Sequence, residues 1–342
     1  MACLRNSALG DSRSHNETAA KPMPYLPVLD IIRFVAAMLV VLFHTSWQNS
    51  LPAFRADFGW VGVEIFFVVS GFVISRSARS ATPKSFVYSR ISRLYPAAFC
   101  CLTLDYAVLC YFGGAPASLV GIDIWANRQA FLTSLTLVGT PRLFTALWTL
   151  PVELAFYALV LILILRSKTD QIEKLAYGLI VVSIPYLTAY FLWMIHVSPT
   201  AVPPLGYDYL NMTFIRHGCF FGLGILLFLS TERNTAAYSQ SASLRYGMIA
   251  LALMLGVMEI SSRALEIEAH FKGEAIFGLS VVAAFVFLIG TAAIWASSQF
   301  RDRVPCGPRT SALLRLIGLM SYPIYLTHEV IDGTAIGLFI GK

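Results

Sequence analysis

The chain has 342 residues, of which 57% are apolar and 13% charged, and its mean hydropathy is +0.69. A soluble domain carries about a quarter charged residues, so this composition excludes one and points to a polytopic membrane protein. The net charge of +6 does not signal nucleic acid, because the Lys and Arg residues fall mainly in short segments between apolar runs, where they set topology.

Residues 1–23 are polar and lack the apolar core of a signal peptide, which predicts a disordered cytoplasmic lead. Residues 24–342 show no internal repeat or low-complexity tract and read as one transmembrane domain. Its first span, LPVLDIIRFVAAMLVVLFHTSW (Leu26 to Trp47), is long enough to cross a bilayer. Only Asp30, Arg33 and His44 interrupt it with groups that lipid rejects. Ten apolar residues separate Arg33 from His44, so both side chains fall on nearly the same helix face, about 16 Å apart along the axis. Arg33 also stands three residues after Asp30, within ion-pair reach.

WVGVEIFFVVSGFVIS (Trp60 to Ser75) is the second span and carries Glu64 one turn in; its Ser70 and Gly71 read as helix-packing residues. A basic segment with Arg76, Arg79, Lys84, Arg90 and Arg93 follows, and the third span is predicted from about Tyr95 to Phe112, with Pro96 at its start. Gly113 to Asn127 reads as loop, Arg128 to Thr140 as a short surface helix and Leu147 to Leu165 as the fourth span. Further spans are expected near Leu175 to Ile195, Asn211 to Ser230, Tyr246 to Ile260 and Ala275 to Ala296, with a last one from Leu313 onward. The fold class is therefore all-α, a bundle of about nine or ten transmembrane helices.

With the N-terminus inside, 17 of the 25 Lys and Arg residues lie in cytoplasmic segments and six on the opposite side, while Arg33 and Arg216 fall within spans. The positive-inside rule thus predicts a cytoplasmic N-terminus. In that orientation His44, Glu64, Glu153, Arg216, His217 and His328 all belong to the outer part of the membrane. A carboxylate or Arg at mid-helix costs roughly 2.5 to 3.5 kcal/mol on insertion scales, so several at one level predict a shared polar pocket. Arg33, Arg90 and Arg93 are expected together at the cytoplasmic level, where converging guanidiniums suit the phosphates of a nucleotide-like donor. Glu64 and Glu153 have a structural alternative, as partners of Arg216. The six cysteines lack the paired spacing of a metal site and read as buried thiols, and no metal is expected.

Five motifs in this order resemble the membrane-bound acyltransferase 3 family. They are LDIIRFVAAMLVVLFH with Arg33 and His44, FGWVGVEIFFVVSGFVIS with Glu64, Ser70 and Gly71, SRISRLYP with Arg90 and Arg93, LWTLPVELAFY with Trp148, Glu153 and Tyr157, and GLMSYPIYLTH with Ser321, Tyr322, Tyr325 and His328. The family includes bacterial O-acetyltransferases of O-antigen, exopolysaccharide and nodulation factors. The resemblance implies transfer of an acyl group, acetyl foremost, from acyl-CoA as co-substrate to a carbohydrate hydroxyl, in a multi-pass protein of the inner membrane in contact with its lipids. For that chemistry the residues suggest Arg33, Arg90 and Arg93 on the CoA phosphates and His44 as the base, with Glu64 or Glu153 orienting the imidazole; the sequence does not choose between this and an acyl-histidine route. Trp148, Tyr157, Arg216, Ser321, Tyr322 and His328 are expected to support the pocket. Related members usually continue past the equivalent of His328 through another apolar stretch, so a short last helix or a missing terminal span is expected here. A transporter or exporter of a glycan precursor or small solute is the alternative from a different class, and the lack of two related halves weighs against it. A catalytically silent scaffold is the third.

Overall fold

The computed structural model describes residues 25–48, 56–112, 124–138, 145–196, 213–231, 242–272, 277–299 and 307–340. The predicted N-terminal lead and most of the loop predicted after residue 112 lie outside them. Among the described residues the elements are α1 (Pro27–Gln48), α2 (Val61–Ala78), α3 (Pro83–Phe112), α4 (Ile124–Ser134), a tight helical turn (Thr145–Trp148) leading into α5 (Thr149–Leu165), α6 (Ile172–His196), α7 (Phe214–Thr231), α8 (Ala242–Lys272), α9 (Phe277–Gln299) and α10 (Pro308–Ile340). No strand occurs among these residues. Seven of the helices are long and apolar enough to cross a membrane: α1, α2, α5 with its leading turn, α6, α7, α8 and α9. This is a polytopic all-α membrane protein.

Three boundaries differ from the sequence reading, each for a physical reason. α3 starts at Pro83, a residue suited to a first helical turn, so Arg90 and Arg93 lie within the helix and Pro96 is interior. α8 does not stop near Ile260 but runs to Lys272, and polar residues along it have partners. Arg245 near its start binds Glu173 of α6 at 2.8 Å, and Glu266 accepts from Tyr190 of α6 and from Arg263, each at 2.8 Å. α10 is not short: its 33 residues run past His328 to Ile340.

α2 and α7 form the centre of the bundle, and every residue of α7 from Arg216 to Leu229 is buried. Small residues make this possible. A Cβ at Gly71 would lie 2.2 Å from the Phe221 carbonyl oxygen, and one at Gly224 would lie 2.1 Å from that of Val68, so the two backbones touch where these glycines cross. Dispersion between closely packed helices, rather than expulsion of water, holds such an interface in lipid. Peripheral helices turn large apolar side chains outward, as Ile31, Val35 and Leu42 do on α1 and Phe285 and Ile289 on α9. Cys101 and Cys219 are buried as expected, whereas Cys100 and Cys110 are exposed on α3.

Helix directions follow from the contacts. Gly318 of α10 packs on Asp30 near the start of α1, and His328 of α10 lies against His44 near its end, so α1 and α10 run parallel. Gly59 and Gly62 meet Leu39 and Ala36 in that order, which makes α2 antiparallel to α1.

Candidate functional site

The site grows from α1, α2, α3, α5 and α10, which enclose a cavity of about 630 Å³ of empty space including its mouth. Its polar lining is Arg33, Ser70, Arg93, Thr149, Glu153, Tyr157, Ser321, Tyr322 and Tyr325, and Phe66, Phe67, Leu94 and Leu150 are among its apolar walls. The positions of these residues follow from helix periodicity. Thr149, Glu153 and Tyr157 stand four apart on one face of α5, and Ser321, Tyr322 and Tyr325 share a face of α10.

Glu153 is the polar centre. Its Oε1 accepts from the Ser70 hydroxyl at 2.8 Å and from the Tyr157 hydroxyl at 2.5 Å. Arg33 and Arg93 line the same cavity, and Arg90 reaches it from α3, its guanidinium 5.8 Å from the centre of the Tyr157 ring. Arg33 keeps a loose ion pair with Asp30 at 3.7 Å, closing one end of the group. The three arginines expected together do converge, and Glu153, expected at the other level with His44, lies among them. The longer α3 is the cause, since Arg93 sits ten residues inside a helix that begins at Pro83. Three cations against the Glu153 and Asp30 carboxylates leave this end of the cavity one positive charge in excess.

Tyr325 connects the cavity to a second polar group one turn farther along α10. Its hydroxyl donates to the Ala146 carbonyl at 2.9 Å and lies 3.1 Å from the Thr149 hydroxyl. The Ala146 N–H in turn donates to Glu329 Oε1 at 2.8 Å. His328 and Glu329 are buried, and the His328 ring lies 4.8 Å from that of His44 and 5.8 Å from that of Tyr325. The carboxylate beside His44 is thus Glu329, not Glu64 or Glu153. Asp105, buried in the middle of α3, lies within electrostatic reach of Glu329. Arg33 and His44 therefore occupy opposite ends of one polar track, bridged by α10.

Glu64 and Arg216 belong to a different cluster. Arg216 binds Glu259 of α8 through Nε at 2.8 Å and a terminal nitrogen at 2.7 Å and stacks on Tyr190, with Glu64 close enough to feel both charges. Arg216 is ion-paired with Glu259 of α8, a residue the alternative of Glu64 or Glu153 did not include, while Glu64 stays within electrostatic reach of it. Trp148 and His217 stand behind the cavity, each in ring contact with Phe67, which lines it. Asp105, Glu259 and Glu329 are the residues that sequence reasoning missed. Each is an acidic side chain inside an otherwise apolar helix, and the cost of burying it there was the available signal.

A sequence model of the acyltransferase domain of this family matches residues 26–341, nearly the whole chain. The chain belongs to the acyltransferase 3 family. Among acyltransferase 3 relatives, it is 31% identical over 161 residues to BcsY of Komagataeibacter xylinus, named as a candidate membrane-bound transacylase; the match covers 43% of this chain and 39% of that protein. It is 30% identical over 151 residues to nodulation protein 10 of Rhizobium leguminosarum bv. viciae, covering 37% and 41% of the two chains. It is also 26% identical over 187 residues to the peptidoglycan O-acetyltransferase OatA of Listeria monocytogenes, covering 48% and 29%. The matched part is less than half the length of each of these relatives. No solved structure matches the chain.

Proposed function

We propose that the protein is an O-acyltransferase of the inner membrane that moves an acyl group, acetyl foremost, from acyl-CoA to a hydroxyl of a cell-surface carbohydrate or lipid-linked glycan. The observation that carries this reading is the track from Arg33, Arg90 and Arg93 through Tyr322 and Tyr325 to His44. Guanidiniums bind phosphate oxygens through paired N–H donors and stay charged, which suits the anionic end of a CoA thioester. Arg33 and His44 stand about 16 Å apart along α1, the distance the pantetheine arm would have to cover.

At the far end a neutral His44 imidazole accepts the proton of the acceptor hydroxyl while its oxygen attacks the thioester carbonyl. A carbon–oxygen bond forms, the carbon–sulfur bond breaks, and the imidazolium returns the proton to the departing CoA thiolate. General-base assistance of this kind is worth roughly 10² to 10⁴ in rate. His328 and Glu329, next to His44, are the groups that would hold the imidazole and stabilise its cation.

The direct test supplies acetyl-CoA carrying labelled acetyl to membranes containing the protein and follows the label. Label appearing in surface glycan and disappearing in a His44→Ala protein of normal abundance supports the proposal. Solute movement without acetylation would instead identify a transporter.

A further inference from the structure

We infer that His44, His328 and Glu329 form a binding site for a divalent transition-metal ion, zinc in particular, and that occupancy of this site switches off the base. One ring nitrogen from each histidine and one Glu329 oxygen lie within 4.8 Å of one another. A point central to a triangle of that size is at most about 2.8 Å from its corners, and a shift of under an ångström in each side chain reaches the roughly 2.0 to 2.2 Å of zinc coordination.

The second observation concerns His328. Its Nδ1 lies 2.7 Å from the Tyr325 carbonyl oxygen, which can only accept, so Nδ1 carries the proton and Nε2 the lone pair. That Nε2 is buried and has no hydrogen-bond partner, in a side chain only 2% exposed. A ligating histidine that gives its other N–H to a backbone carbonyl is the usual arrangement around zinc, where it fixes the tautomer. Glu329 is held on its other side as well, since its Oε1 accepts the Ala146 N–H. Asp105, whose buried Oδ2 has no hydrogen-bond partner, lies within electrostatic reach of Glu329, and a cation bound there would offset the repulsion between the two carboxyl groups.

Two imidazoles and one carboxylate with an open fourth position suit zinc over calcium or magnesium, which prefer all-oxygen shells. A metal on His44 takes the lone pair that would accept the acceptor proton. The existence of the site does not depend on the proposed acyl transfer, but this inhibitory consequence does.

The test uses the purified full chain in detergent without a histidine tag, stripped with chelator and then equilibrated with Zn²⁺ alone. One retained equivalent per chain is expected, with affinity falling about tenfold or more in His328→Asn and in Glu329→Gln. The exposed His196→Ala protein should bind as wild type does. Should a variant fail to fold, Co²⁺ added to the stripped wild type gives a second reading, an intense visible absorption typical of four-coordinate cobalt. Absence of a retained equivalent, equal retention by both ligand variants, or a weak octahedral cobalt spectrum overturns the proposal. Acetyl transfer by chelated and zinc-loaded protein is assayed separately, so a zinc-binding protein that never transfers acetyl refutes the function and leaves the site.

Discussion

Ser70 in the middle of α2 donates its hydroxyl to Glu153 of α5 across 2.8 Å, joining a central helix of the bundle to the carboxylate around which Arg33, Arg90 and Arg93 gather. A hydroxyl held this way is a fixed donor to an anion, and Glu153 depends on it and on Tyr157 for its orientation. Glu153→Gln keeps the shape but removes the charge that balances the arginines. The expected outcome is a protein that folds with near-normal thermal stability while the donor KM changes several-fold and the acceptor KM does not. Steady-state kinetics with each substrate varied in turn decide this, and a change confined to the acceptor would refute the placement of the donor at this end.

Charge reversal at Arg93 is a stronger perturbation of the same group. Arg93→Glu places a second carboxylate in the cavity beside Glu153, and charge-assisted bonds to phosphate are worth about 1.5 to 3 kcal/mol each. Binding of acetyl-CoA, followed by calorimetry or a fluorescent analogue, should weaken by at least tenfold. An unchanged donor affinity would remove Arg93 from the binding surface.

The Arg216–Glu259 pair has a structural role that separates it from the site. Both side chains are buried and within 2.7 Å, so truncating one leaves the other charged in an apolar interior. Arg216→Ala should destabilise the protein by about 3–5 kcal/mol, whereas a double replacement by Met at both positions should recover much of that loss. Thermal unfolding in detergent, followed by the monodisperse fraction on size exclusion, measures both.

Packing of α2 on α7 gives a prediction with an internal control. Gly71→Leu or Gly224→Leu drives a side chain into facing backbone and should cost about 1–3 kcal/mol or block assembly. Gly178→Leu on α6, where nothing lies within 4 Å, should be tolerated. Equal losses at the three positions would show that the helices are not in contact at the glycines.

A last expectation concerns Tyr325, which ties α10 to the turn before α5. Tyr325→Phe loses the bond to the Ala146 carbonyl and the contact with Thr149, at about 1 kcal/mol for each bond removed. His328 keeps its own link to the Tyr325 backbone, so activity should fall less than in a His328→Ala protein.

Much of this molecule was legible from the residues alone. Runs of about twenty apolar side chains mark membrane spans because lipid leaves a backbone no other partners. The separation of Arg33 from His44 is likewise a property of one helix, fixed by its rise per residue. Which charged side chains meet is a different matter, because it depends on how helices distant in sequence pack. Glu153 could be read as a neighbour of His44 or of Arg216, yet it lies among the arginines because α3 begins earlier and lifts Arg93 to its level. Glu329 reaches His44 because α10 lies parallel to α1, and Glu259 reaches Arg216 because α8 continues past its apolar stretch. Local hydropathy decides that a buried charge needs a partner, while only the packed bundle decides which partner it finds.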